Sequence, residues 1–160
     1  MINFLLDRGA DVNLQGGTYG TALQAAAYHG RIGSLGRLLT GGADVNAQAG
    51  TYCTALQAAS YAGHKDIVQA LFVAGADANL EGGRYGNAVQ ASVSVEYENI
   101  PSILRLPDRP HHKDILKMLI DKGADVNRRG GMHGSALAAA RKLGQETPIK
   151  ILQQNGATDE

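Results

Sequence analysis

Gly42-Ala43-Asp44-Val45-Asn46 decides how this chain is read, because the chain says it repeatedly. It stands also as Gly9-Ala10-Asp11-Val12-Asn13, as Gly75-Ala76-Asp77-Ala78-Asn79 and as Gly123-Ala124-Asp125-Val126-Asn127. Gly156-Ala157-Thr158-Asp159-Glu160 is a frayed last copy. The copies start at 9, 42, 75, 123 and 156, so the steps are 33, 33, 48 and 33 residues. Equal steps with one lengthened by 15 describe an array of one structural unit carrying a single insertion. In such an array each unit packs only on its neighbours, and the core is a continuous seam.

Outward from each copy the same elements recur. Gly16-Gly17-Thr18-Tyr19-Gly20 predicts a tight turn, since glycine enters positive φ at no steric cost. Thr21 offers a hydroxyl cap to a short helix, Ala22–Tyr28. His29-Gly30 ends it, and a second helix places Ile32, Leu35, Leu38 and Leu39 on one stripe. The next unit repeats this with Thr54 before Ala55–Tyr61, Gly63-His64 at the corner, and a helix over Asp66–Phe72. The third opens with Gly82-Gly83-Arg84-Tyr85-Gly86 and Asn87–Ala91, then departs: Pro101, Pro107 and Pro110 lie between Ser92 and His112. Proline removes backbone donors and breaks helices, so this stretch reads as a loop, with at most a short turn at Ser102–Leu106. The frame resumes at His112-Lys113-Asp114-Ile115, and the second helix is expected over Ile115–Asp121. The fourth unit has Gly130-Gly131-Met132-His133-Gly134, a helix over Ser135–Leu143, and a last helix capped by Thr147 with Pro148 in its first turn. Lys150, Gln153 and Gln154 give that helix a polar outer face, as the end of an array requires.

A 33-residue period of turn, helix and helix resembles the ankyrin repeat. Thr21-Ala22-Leu23-Gln24 and Thr54-Ala55-Leu56-Gln57 stand where that family usually has Thr-Pro-Leu-His, and Gly63-His64, Leu38-Leu39 and the repeated Gly-Ala-Asp-Val-Asn also fall at family positions. Gln24, Gln57, Gln90 and Ala138 replace the family's turn histidine, and the Gly-Gly-x-Tyr-Gly turn resembles the variant of fungal ankyrin arrays. The resemblance implies an all-α ankyrin-repeat solenoid with β-turn fingers. Its divisions are a partial repeat at 1–12, repeats at 13–45, 46–78 and 79–126 (the last with the insert at about 94–110), and a capping repeat at 127–160. Residues 1–12 hold a second helix without its first, with Ile2, Leu5 and Leu6 at helical spacing. That leaves an uncapped end that would meet either a second copy or further repeats of a longer array.

Such arrays resemble a cupped hand, with turns as fingers and first helices as palm, and the family's partners lie across both. Carried onto this chain, the binding candidates are Tyr19, Tyr52, Arg84, Tyr85, Met132 and His133 on the fingers, Tyr28, Tyr61 and Arg141 on the palm, and Arg105 in the insert. Tyrosine combines large contact area, few rotamers and one polar handle, which suits an anchor. The alternative for the ladder Tyr19, Tyr52, Tyr85 is that it packs turn on turn and stiffens the fingers. The neighbours Thr18, Thr51, Arg84 and Met132 vary, and are then the better specificity candidates.

Other chemistry is poorly served. Lys+Arg and Asp+Glu are both 15, which argues against a nucleic-acid surface driven by bulk charge. Cys53 is the lone cysteine, so no intrachain disulfide forms, and it sits where other turns have glycine. No base accompanies it as a nucleophile. His111-His112 lack the companions of a metal site. Asp11, Asp44, Asp77 and Asp125 sit one unit apart, roughly 10 Å in a stack of helices, which suits turn hydrogen bonding and not a shared acid–base pair. Gly16-Gly17 and Gly82-Gly83 follow no strand, so they are not phosphate loops. The expectation is a non-catalytic module that binds a protein or peptide, with no cofactor, no metal and no membrane span. The lack of a signal peptide, together with cysteine usage, points to an intracellular protein, cytoplasmic or nuclear. Two alternatives stand beside it: a small-molecule binder or enzyme whose pocket is roofed by the insert, and a spacer fragment of a longer array.

Overall fold

The computed structural model describes residues 2–94 and 110–158. Among them, nine helices follow in order: α1 (Ile2–Asp7), α2 (Ala22–Tyr28), α3 (Ile32–Thr40), α4 (Ala55–Ala62), α5 (Lys65–Val73), α6 (Ala88–Val93), α7 (Pro110–Asp121), α8 (Ala136–Lys142) and α9 (Glu146–Gln154). They form two layers. First helices stack as α2, α4, α6 and α8, and second helices as α1, α3, α5, α7 and α9. The seam between the layers holds Leu23, Leu35, Leu56, Ile67, Leu71, Ile115, Leu116, Leu119, Leu137 and Leu152, all essentially without exposed surface. First helices are rich in alanine because they approach closely: Ala27, Ala58, Ala59, Ala91, Ala139 and Ala140 are fully buried. The result is an all-α solenoid.

Every first helix begins the same way. The side chains of Thr21, Thr54, Asn87 and Ser135 accept from the backbone N–H three residues on, satisfying a donor that the helix leaves open. In front of each cap the turn closes into a small hairpin, with isolated bridges Gly16–Gly20, Ala49–Cys53, Gly82–Gly86 and Gly130–Gly134.

Two expectations about the second helices need correction. The loop was expected to persist to His112, but α7 begins at Pro110, because proline at a first helical position gives up only a donor that had no partner. Thr147 was expected to cap the last helix. Instead the cap position falls two residues earlier, at Gln145, with no side-chain cap bond; α9 starts at Glu146, and Thr147 lies within its first turn. The insert, including Tyr97, Arg105 and the turn expected at 102–106, lies outside the described residues.

Three polar seams tie unit to unit. In the quoted motif, Asp44 Oδ1 accepts from Asn46 N–H (2.9 Å), which shapes the turn. Asn13 then crosses to the next copy, donating to Gly42 O (3.1 Å) and accepting from Asp44 N–H (2.7 Å). Asn46, Asn79 and Asn127 repeat the crossing, with Thr158 taking the aspartate's place at the end. The second seam is glutamine. The two N–H of Gln24 Nε2 are shared among Ala47 O and Ala49 O (3.1 Å each) and Cys53 O, while Gln57 reaches Leu80 and Gly86, and Gln90 reaches Arg128, Gly130 and Gly134. The residue that replaces the family's histidine therefore makes the inter-unit bonds itself. The third seam lies at the corners, where His64 Nε2 donates to Tyr28 O and His112 Nε2 to Tyr61 O (3.0 Å each). Gly30 is glycine because a Cβ there would stand 2.7 Å from the His64 ring.

Candidate functional site: the corner between fingers and first helices

The four fingertips are stitched by one backbone bond per interface. Thr51 N–H donates to Thr18 O, Arg84 N–H to Thr51 O and Met132 N–H to Arg84 O, each at 2.9 Å. The main chain of Thr18, Thr51, Arg84 and Met132 is thus committed to stacking. Their side chains are the part free to differ, and those of Thr18, Arg84 and Met132 belong to exposed residues. Met132 retains 43% of its surface.

Behind the tips runs an aromatic zigzag. Tyr19 lies 5.0 Å from Tyr28, Tyr28 lies 5.0 Å from Tyr52, Tyr52 lies 5.4 Å from Tyr61, and Tyr61 lies 4.5 Å from Tyr85, centroid to centroid. Fingers and palm therefore alternate along one continuous row of rings, at separations where aromatic pairs attract. His29 extends the row at its start, with edge contacts to Tyr19 (5.0 Å) and Tyr28 (5.1 Å).

Burial divides this row. Tyr52 and Tyr85 keep only 9% and 5% of their surface: Tyr19 and Tyr85 stack on either side of Tyr52, and Tyr52 and Tyr61 stack against Tyr85. Burial, and then the Tyr28 hydroxyl, push the Tyr52 phenol far above the ordinary tyrosine range. Tyr19, Tyr28 and Tyr61 are half-buried, and His29 is exposed. Each of these presents an edge to the corner while its neighbours fix the ring.

The fourth unit breaks the aromatic pattern. His133 occupies the register of Tyr19, Tyr52 and Tyr85, and Lys142 the register of Tyr28 and Tyr61. His133 is half-buried, while Arg141 and Lys142 are exposed at the end of α8. The Arg84 guanidinium stands 5.9 Å from the Tyr85 ring centroid, and its Nε–H donates to Met132 Sδ (3.4 Å). Arg105 lies outside the described residues. Of the expected set, Tyr19, Tyr28, Tyr52, Tyr61, Tyr85, Arg84 and Met132 are joined by contacts along one corner of the array, with Tyr52 and Tyr85 as its floor. His29 and Lys142, which the repeat places on the palm row beside Tyr28 and Arg141, are exposed at the ends of α2 and α8.

Residues set aside as structural have visible posts. Cys53 holds φ +67° where Gly20, Gly86 and Gly134 hold positive φ, and its buried thiol, shifted upward in pKa by burial, points at Glu81 O (3.6 Å). Asp11, Asp44, Asp77 and Asp125 each bond the asparagine two residues on. No helix among the described residues is long and apolar enough to cross a membrane.

No curated protein matches the chain. A family model described as "Ankyrin repeats (3 copies)" matches residues 1–82, just over half of the chain's 160, and the same turn, cap and polar seams continue through the units beyond the match. With the match and the repeating geometry in agreement, the chain belongs to the ankyrin-repeat family.

Proposed function

We propose that the chain is a non-catalytic interaction module that docks a protein or peptide along the finger–palm corner. One observation carries this reading. Backbone bonds tie the fingertips of all four units and stacked rings back the first three, while the side chains exposed there differ along the array: Thr18, His29, Arg84, Met132 and Lys142. A rigid floor beneath variable side chains suits recognition, because little ordering entropy is lost on binding. Half-buried tyrosines add contact area in rotamers that are already fixed. Membership of a family whose repeats generally serve protein interaction supports the same reading.

A ligand-binding or enzymatic reading has less behind it. A cleft of about 440 Å³ at the α4–α5 corner is lined by Gly63, His64, Lys65, Asp66, Gln69 and His111, but His64 is bonded to Tyr28 O and Lys65 to Asp114, so two of its titratable groups serve the stack.

The test is an affinity capture from source-cell extract with three baits: the native chain, Thr18→Arg/His29→Glu on the corner, and Lys117→Glu/Lys122→Glu on the outer layer. A protein held by the native and outer-layer baits and lost from the corner bait is the expected result. Loss from the outer-layer bait alone would place the binding surface elsewhere.

A further inference from the structure

Each unit receives the one before it through the same few groups, and the first unit keeps those groups open. At the three inner interfaces the incoming fingertip N–H, of Thr51, Arg84 and Met132, donates to the tip before it. Thr18 N–H stands in that register and has no partner among the described residues. The glutamine clamps land on Ala47 O and Ala49 O, on Leu80 O, and on Arg128 O and Gly130 O. Leu14 O and Gly16 O hold the same positions in the first unit and receive no amide from the described residues. Asp44, Asp77 and Asp125 N–H each donate to an asparagine of the unit before. Asp11 N–H has no such asparagine among the described residues.

Burial follows the same division. Ala55, Ala58, Ala88, Ala91, Ala136 and Ala139 keep at most 1% of their surface where first helices stack. Ala22 and Ala25, in the same two registers, are exposed and half-buried. Leu14 keeps 70% of its surface where its counterpart Leu80 is half-buried, and Tyr19 stays half-buried where Tyr52 and Tyr85 are covered. A groove of about 340 Å³ runs along this face, from Leu14 and Tyr19 of the finger to Ala22 and Ala25 of α2. Residues 13–30 hold no lysine, arginine, aspartate or glutamate, so covering the face desolvates no fixed charge.

Independently of the docking role proposed above, we infer that this face is a stacking site for one more finger and first helix of the chain's own kind, leading into α1. Because α1 already packs on α3 as a second helix, a first helix ahead of it falls over α2. The occupant carries glutamine in the register of Gln24, and its amide donates to Leu14 O and Gly16 O. Its fingertip carbonyl accepts from Thr18 N–H, and its alanine-rich helix closes over Ala22 and Ala25. Main-chain groups left open at an edge are a strong drive to pairing. A second copy fits less well. Its last unit has Ala138 where the glutamine stands, and exposed Lys150, Gln153 and Gln154 on α9, so head-to-tail stacking supplies no amide. Two first units face to face would set the carbonyls of Leu14 and Gly16 against their own kind, leaving acceptors unpaired.

The experiment extends the native chain with a copy of residues 46–66 joined directly ahead of Met1, a length that keeps the 33-residue register. A second version carries alanine for the added glutamine. Hydrogen exchange at the Thr18 amide, the thermal midpoint and the sedimentation mass are read for the native chain and both extensions. The expected result is Thr18 exchange slowed about tenfold or more and a midpoint raised by about 3 °C or more, with less gained from the alanine version. Leu14→Asp, harmless in the native chain, should cancel the gain in the extended one. Unchanged exchange and midpoint on extension would overturn the stacking site. Equal gains from both versions would overturn the glutamine clamp by which the occupant is assigned. Thr18 exchange that slows in the native chain as its concentration rises, with a doubled sedimentation mass, would replace the occupant with a second copy.

Discussion

Cys53 is the one non-glycine residue with positive φ among those described, and it shows what a single position can reveal. An L-residue in this conformation is strained by roughly 1–2 kcal/mol, which the burial of its thiol offsets in part. Cys53→Gly is expected to leave stability within about 0.5 kcal/mol of the parent, whereas Cys53→Ala, which keeps the strain and loses the sulfur contact, should cost about 1 kcal/mol. Denaturant midpoints decide it, and a glycine variant less stable than the alanine variant would refute the argument. The glutamines make the complementary case. Gln57 is 1% exposed and its Nε2 bonds Leu80 O (3.0 Å) and Gly86 O (3.3 Å) of the next unit. Gln57→Ala should therefore cost about 1–3 kcal/mol, because two carbonyls lose a donor where water enters poorly. A thermal melt unchanged from the parent would show that the clamp is idle. Sequence spacing made the aspartates legible as turn bonders, since their partner is two residues away. It did not reveal the asparagine and glutamine crossings, whose partners lie 23 to 46 residues on and are brought close only by stacking.

At the scale of the element, α3 is the weakest of the full-length second helices by composition. Gly33 and Gly36 lie inside Ile32–Thr40, and a Cβ at either would meet nothing within 4 Å. Gly36→Ala should raise stability by about 0.5–1 kcal/mol through helix propensity alone. An unchanged or lower melting temperature would mean that the helix is held by something other than its backbone. Between α5 and α7, Lys65 Nζ reaches Asp114 Oδ2 at 2.8 Å, and the hydrogen bond and charge of Lys65 hold the Asp114 carboxyl below its usual range. A lowered folded pKa stabilises above the unfolded value, near 3.9, and that contribution fades as pH falls through the folded value. The melting-temperature gap between the parent and Asp114→Asn should thus be present at neutral pH and close in acid. A gap that persists or widens in acid would contradict the assignment. Helix existence was legible here from periodicity and corner glycines. The start of α7 was not, because three prolines in one stretch read as a loop, and only chain geometry distinguishes a helix-breaking proline from a helix-starting one.

At the scale of the molecule, the array legible in the 33-residue period is the array observed, and it places fingers and first helices in one corner. Which tyrosines of that corner are floor and which are edge was not legible, because Tyr19, Tyr52 and Tyr85 share one register and differ only in what stacking brings against them. The most direct measurement of the docking role is site-specific photo-crosslinking in source-cell extract. A benzophenone side chain would be introduced at Thr18, His29 and Met132 on the corner, and at Arg37, Gln69 and Lys117 on the second-helix layer. The expected result is a common crosslinked protein from the three corner positions and none from the outer three. Crosslinking of that protein from Arg37, Gln69 and Lys117, with the corner silent, would contradict the assignment of the finger–palm corner as the binding surface.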